Sequence, residues 1–206
     1  EVFQYTLVST DKKHDLTNLR TIQDYVVKPI LRTVPGVTEI NSFGGLVKQY
    51  QVIVKPDRLI AHKITLQQVF EALEKNNSNA SGNFITHGAE QYIVRGIGLV
   101  KNIRDIENIV VATEDRTPIY VRDLAEVKIG AELRQGAVTK NGKGEVVAGI
   151  VLMLKGGSGR DVVNAVKARL PEVQKALPNG VNLVPYYDRT ELVKDAIHTV
   201  TKALEE

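Results

Sequence analysis

The sequence predicts an α+β protein in two parts, one of them discontinuous, and three observations carry that prediction. Strand-type alternation and helix-type periodicity trade places repeatedly along the 206 residues. The outer blocks read strand-helix-strand before residue 50 and strand-strand-helix-strand after residue 130. Neither block has enough strands to bury its own helix, so together they imply one shared sheet. The stretch between them carries its own short strands and helices, which makes residues 50–130 an insertion.

The first strand is the alternating run over residues 2–9, Val2-Phe3-Gln4-Tyr5-Thr6-Leu7-Val8 at its centre. Asp15 or Thr17 can cap the helix that follows. Its apolar face is Leu19, Ile22, Val26, Ile30 and Leu31, and Pro29 imposes a kink or an early break. Val34-Pro35-Gly36-Val37 turns the chain into a second strand over 37–43, closed by Gly44-Gly45.

The middle block opens on Tyr50-Gln51-Val52-Ile53-Val54, a strand stopped by Pro56, and residues 57–62 fit one helical turn. Thr65 with Gln68 forms a capping box for a helix through Lys75, with Leu66, Val69, Phe70 and Leu73 as its buried face. Asn76 to Gly82 is polar and turn-rich, a mobile stretch on its composition. A β-hairpin is expected over Asn83–Gly96 around His87-Gly88. A short helix over 103–109, strands at 109–113 and 117–121, and a last strand from Glu126 to Ile129 complete the block.

In the third block, strands at 133–140 and 145–154 are joined by Asn141-Gly142, the strongest short hairpin signal in the chain. Gly156-Gly157-Ser158-Gly159 leads into a helix carrying Val162, Val163, Val166, Leu170 and Val173. Pro178-Asn179-Gly180 turns into the strand Val181 to Val184. Asp188 can cap a final helix, with Glu191 completing a box-like start and Leu192, Val193, Ala196, Ile197, Val200 and Leu204 as its apolar positions. No Gly, Asn or Pro stops that pattern before Glu206, and the chain enters its first strand directly from Glu1. The expectation is a piece of a longer chain.

Composition narrows the function classes. Hydrophobic residues at 43% and charged residues at 25% are ordinary for a globular protein. A net charge of +3, 5% aromatics and no Trp argue against a nucleic-acid surface, which gathers basic residues with stacking rings. The absence of Cys excludes disulfides, thiolate catalysis and thiolate zinc sites. No apolar run approaches the roughly 20 residues that span a bilayer.

The short motifs favour structure over chemistry. Gly96-Ile97-Gly98 begins like a dinucleotide fingerprint, but Lys101 stands where the third Gly is required. Lys155-Gly156-Gly157-Ser158-Gly159-Arg160 precedes a helix and lacks the Gly-Lys-Ser/Thr of a phosphate loop. His14, His62, His87 and His198 are scattered without an HxxxH pair, and Met153 is a lone Met in an apolar strand, so no metal site is assigned. No cofactor is implied, and no convergent nucleophile, base or ligand set suggests an enzyme.

A set of segments, taken together, resembles one family. They are Val34-Pro35-Gly36-Val37, Ser42-Phe43-Gly44-Gly45, Lys48-Gln49-Tyr50-Gln51-Val52, Tyr92-Ile93-Val94-Arg95-Gly96, Asp105-Ile106-Glu107-Asn108-Ile109-Val110 and Pro185-Tyr186-Tyr187-Asp188-Arg189-Thr190. They are similar, in order and spacing, to the first periplasmic half of the heavy-metal resistance-nodulation-division efflux pumps, the CzcA/CusA type. The resemblance covers essentially the whole chain.

It implies a ferredoxin-like βαβ porter subdomain, discontinuous over 1–47 and 132–187, with an inserted α+β docking subdomain over 48–131. Residues 188–206 would begin a helix running on into a transmembrane segment. It further implies a proton-driven exporter of transition-metal ions at the periplasmic face of the bacterial inner membrane. Such a pump is a homotrimer that meets a periplasmic adaptor and an outer-membrane channel. The proton relay and the known methionine ligands of the family lie outside this chain. Two roles come with the resemblance: Ser42, Phe43, Gly44, Gly45 and Lys48 would line the substrate passage, and the hairpin bearing Phe84, His87, Gly88 and Tyr92 would be an intersubunit arm. The alternatives are a multidrug-type pump segment and a free-standing ferredoxin-like binding module.

Overall fold

The computed structural model describes residues 1–10, 13–87, 90–96, 98–134, 136–142 and 144–205, with the backbone alone over 80–87, 90–96 and 204–205. The chain divides into two compact units, Glu1–Lys48 with Ala131–Glu206, and Gln49–Gly130.

The first unit begins with β1 (Phe3–Ser9), α1 (Leu16–Ile22), a π-helical segment (Gln23–Val27), α2 (Lys28–Arg32) and β2 (Val37–Phe43). Its second half, which follows the insertion, consists of β9 (Val147–Met153), α7 (Gly159–Ala176), β10 (Val181–Asp188) and α8 (Arg189–Glu205). The sheet order is β10-β1-β9-β2, with every neighbouring pair antiparallel. Two βαβ halves interleaved in this order make the ferredoxin-like arrangement expected from the sequence.

Period-2 burial explains the sheet. Phe3, Tyr5 and Leu7 are fully buried on one face of β1, and Val147 and Val151 of β9 join them in the same core cluster. Leu31 of α2 and Val163, Val166 and Val173 of α7 complete it. Each such side chain contributes about 1.5–3 kcal/mol on leaving water.

The first helix departs from a uniform 3.6-residue period. Asp15 caps α1 by accepting from Asn18 N–H at 2.7 Å. At the far end the Lys28 N–H reaches back five residues to the Gln23 carbonyl. Pro29 has no N–H for the Tyr25 carbonyl, and its ring would press on that carbonyl in a regular helix. The wider turn just before it relieves both. The extra residue moves burial on by one position: Val27 and Leu31 are 0% exposed, while Val26 and Ile30 are only partly buried. Of the face expected from periodicity, Leu19, Ile22 and Leu31 are buried, whereas Val26 and Ile30 are corrected to its partly buried margin.

A second correction concerns 133–140. Asn141 and Gly142 both have positive φ, as a tight turn requires, but among the described residues the only bridge beside them is Thr139 to Glu145. The strand proper starts at Val147. Leu133 is 89% exposed, so it adds no apolar packing that would hold the start of this arm to the sheet.

The second unit contains β3 (Lys48–Val54), α3 (Pro56–Ala61), α4 (Leu66–Lys75), β4 (Ala80–His87), β5 (Glu90–Gly96), α5 (Ile103–Glu107), β6 (Val110–Glu114), β7 (Thr117–Tyr120), α6 (Val121–Leu124) and β8 (Ala125–Ala131). Its strands pair as β3-β8, β4-β5 and β6-β7. The Thr65–Gln68 capping box is present, and Asn102 with Asp105 forms a second one at α5. Two small apolar clusters hold the unit, one around Val121 and Ile106, the other around Leu124 and Val69. Leu66 and Phe70 are 62% and 60% exposed, against the expectation that they face inward. Val69 and Ala72 of α4 are buried and Leu73 packs against both clusters, while Leu66 and Phe70 lie beside that stripe.

Candidate functional site

The segment where β2 ends is closely hemmed in by its neighbours. Gly44 and Gly45 both take φ near +70°, a conformation that other residues reach only under strain. A β-carbon on Gly44 would overlap the Val146 carbonyl oxygen. One on Gly45 would stand 2.7 Å from Val147 Cγ2 and 2.9 Å from both Arg20 Cβ and the Leu16 carbonyl oxygen.

Ser42, Phe43, Gly44 and Gly45 line one cavity of about 470 Å³ together with Arg20 and with residues 132–134 and 136–138. Ser42 and Phe43 also border a second recess, of about 520 Å³, with Asp24, Tyr25 and Lys28. Phe43 is 45% exposed. Lys48 stands apart, exposed at the start of β3 and outside the lining of both cavities. Four of the five residues proposed for this region therefore come together, and the fifth does not.

Polar side chains surround the glycine turn. Ser42 Oγ donates to Asp24 Oδ1 at 2.6 Å, and Arg20 Nε donates to Asp24 Oδ2 at 2.7 Å. Behind Ser42, burial holds the Tyr5 phenol well above its ordinary pKa. The hydrogen bond from Gln23 works against that shift and nearby Asp24 adds to it. Arg20, Gln23 and Asp24 were not singled out from the sequence, although their i, i+3, i+4 spacing is the signal of one helix face.

The hairpin residues lie in the second unit. Phe84 pairs with Ile93, Tyr92 with Ile85, and His87 with Glu90 along β4-β5; Gly88 lies outside the described residues. Among the described residues no group of three or more His, Cys, Asp or Glu could hold a metal ion. Among them, too, no helix is long and apolar enough to cross a membrane.

The sequence model of the AcrB/AcrD/AcrF family matches residues 1–206. The chain belongs to this family. As a member of the AcrB/AcrD/AcrF family it is similar to proteins named for cation efflux and for metal resistance. It is 42% identical to the "Cation efflux system protein CusA" of Escherichia coli strain K12, over 100% of this chain and 20% of that protein. It is 50% identical to the "Cobalt-zinc-cadmium resistance protein CzcA" of Cupriavidus metallidurans, over 91% of this chain and 18% of that protein. "Protein HelA" of Legionella pneumophila is 44% identical over 99% of the chain. A crystal structure of a heavy metal efflux pump superposes with a TM-score of 0.85 at 36% identity, covering 100% of this chain. The chain spans about a fifth of the length of these relatives.

Proposed function

We propose that this chain is the periplasmic portion of a proton-driven transition-metal cation exporter of the inner membrane. The observation that carries the reading is the end-to-end match to a heavy metal efflux pump, 36% identical across the whole chain. Residues 1–47 and 132–187 act as the porter subdomain and 48–131 as the docking subdomain. The full-length pump works as a homotrimer with a periplasmic adaptor and an outer-membrane channel. The helix from Arg189 leads toward a membrane segment. Its exposed Leu192, Val193, Ile197 and Val200 give it an apolar side that suits such a continuation.

In this reading the porter unit moves as one rigid body, because its sheet and both crossover helices share a single apolar cluster. The Ser42–Gly45 turn forms part of the wall past which the ion moves. The β4-β5 hairpin serves as the intersubunit arm.

The test is a sensitivity profile of a host strain lacking the full-length gene. Growth on zinc, cobalt, nickel, cadmium, copper and silver salts is compared with growth on dyes and detergents. Sensitisation to one or more metals, reversed by the gene, is expected. Sensitisation confined to dyes and detergents would replace the metal reading with a multidrug one.

A further inference from the structure

One stripe of α1 and the π-helical segment holds both ends of the glycine turn. At the far end, Leu46 N–H bonds to the Leu16 carbonyl at 3.4 Å. At the centre, Arg20 Nη1 donates to the Gly44 carbonyl at 2.8 Å. At the near end, Ser42 Oγ donates to Asp24 Oδ1 and accepts from Gln23 Nε2 at 3.3 Å. Leu16, Arg20, Gln23 and Asp24 follow the 4-3-1 spacing of a single helix face.

Two of these residues do more than touch the turn. The Arg20 guanidinium uses Nε on Asp24 and Nη1 on Gly44, so one rigid plane ties the carboxylate to the turn. Gln23 is 0% exposed, and its amide spans from Ser42 to the Tyr5 hydroxyl at 2.9 Å in the sheet core. Its Oε1 has no hydrogen-bond partner among the described residues. A buried amide left half-satisfied is costly. Through these two contacts Gln23 joins the turn to the core.

Two consecutive positive-φ glycines would otherwise leave the turn free to change shape. We infer that Arg20 and Asp24 are positioning residues: they form a latch, borne on the helix, that fixes the Ser42–Gly45 turn at the cavity wall. The inference rests on the proposal that this turn lines the ion passage. The width of that passage is then set through a helix whose Arg20 shares the cavity lining with the turn.

The test has two arms. In the 206-residue chain, backbone order parameters of Gly44 and Gly45 are measured by ¹⁵N relaxation for wild type, Arg20→Ala, Arg20→Lys and Ser42→Ala. Wild type is expected near the rigid value of about 0.85, and each variant below about 0.6 at these two glycines, with β1 and β9 unchanged. Lysine keeps the charge and the stem but lacks the fork, so a role in packing or charge alone would be rescued by Arg20→Lys. Rigid glycines in Arg20→Lys and Ser42→Ala would overturn the latch. Ser42→Ala stands in for Arg20→Ala if that variant does not fold.

In the full-length pump, Arg20→Lys is expected to lower metal resistance at least several-fold at an unchanged protein level. A loosened turn with full resistance would leave the latch standing and remove the passage reading. Lost resistance with a rigid turn would do the reverse.

Discussion

Tyr5 lies directly across the β1-β9 pair from Gly149, and its ring occupies the space that a β-carbon at 149 would need. The missing side chain on one strand is thus what lets the largest fully buried residue of the core fit on the next. It also brings the Tyr5 hydroxyl within 2.9 Å of Gln23 Nε2.

Gly149→Ala should therefore act as an overpacking change. A cost of about 1–3 kcal/mol is expected from forcing a β-carbon into a filled core. Urea unfolding monitored by circular dichroism measures it. A double variant with Tyr5→Leu should recover part of the loss, because the two residues share one volume.

The ferredoxin-like half was legible because its signals are local and agree with one another. Alternation in β1, the Asp15 cap and the apolar run of α7 each specify one element, and the shortage of strands in either half forces them to combine. The site was legible only as a loop. The residues that hold it are polar helix residues whose partners lie 18 to 24 positions away, and nothing short-range marks such contacts. Leu66 and Phe70 were misassigned for a related reason. Periodicity says which residues share a face, whereas how much of that face is covered depends on the breadth of its partner.

The π-helical segment makes a prediction that a regular helix would reverse. Val27→Ala should cost appreciably more than Val26→Ala, since Val27 is fully buried and Val26 is not. A truncated buried Val should lose roughly 1–3 kcal/mol, and a half-buried one under about 1 kcal/mol. Equal losses, or a larger one at Val26, would contradict the register.

Asp188 ties the end of β10 to α7 through an ion pair with Lys167 and caps α8 by accepting from Thr190 N–H at 2.8 Å. Burial pushes its carboxyl up. The bonds from Lys167 and Thr190 outweigh that and hold it below the ordinary carboxylate range. A carboxyl lowered on folding stabilises the fold above its unfolded value, about 3.9, and that gain is lost as pH falls through the folded value. The stability gap between wild type and Asp188→Asn should therefore narrow as pH falls below about 4. Denaturant titrations at a series of pH values test this, and a gap independent of pH would contradict it.

The proposed function places the Ser42–Gly45 turn in the wall of the path taken by a transported transition-metal ion. The direct measurement is metal resistance conferred by the full-length pump carrying Gly45→Val. The added side chain meets Val147 and Arg20 within 3 Å at a positive φ, so the turn cannot keep its shape. Loss of resistance at a wild-type level of assembled protein is expected if the turn walls that path. Wild-type resistance at that level would contradict it.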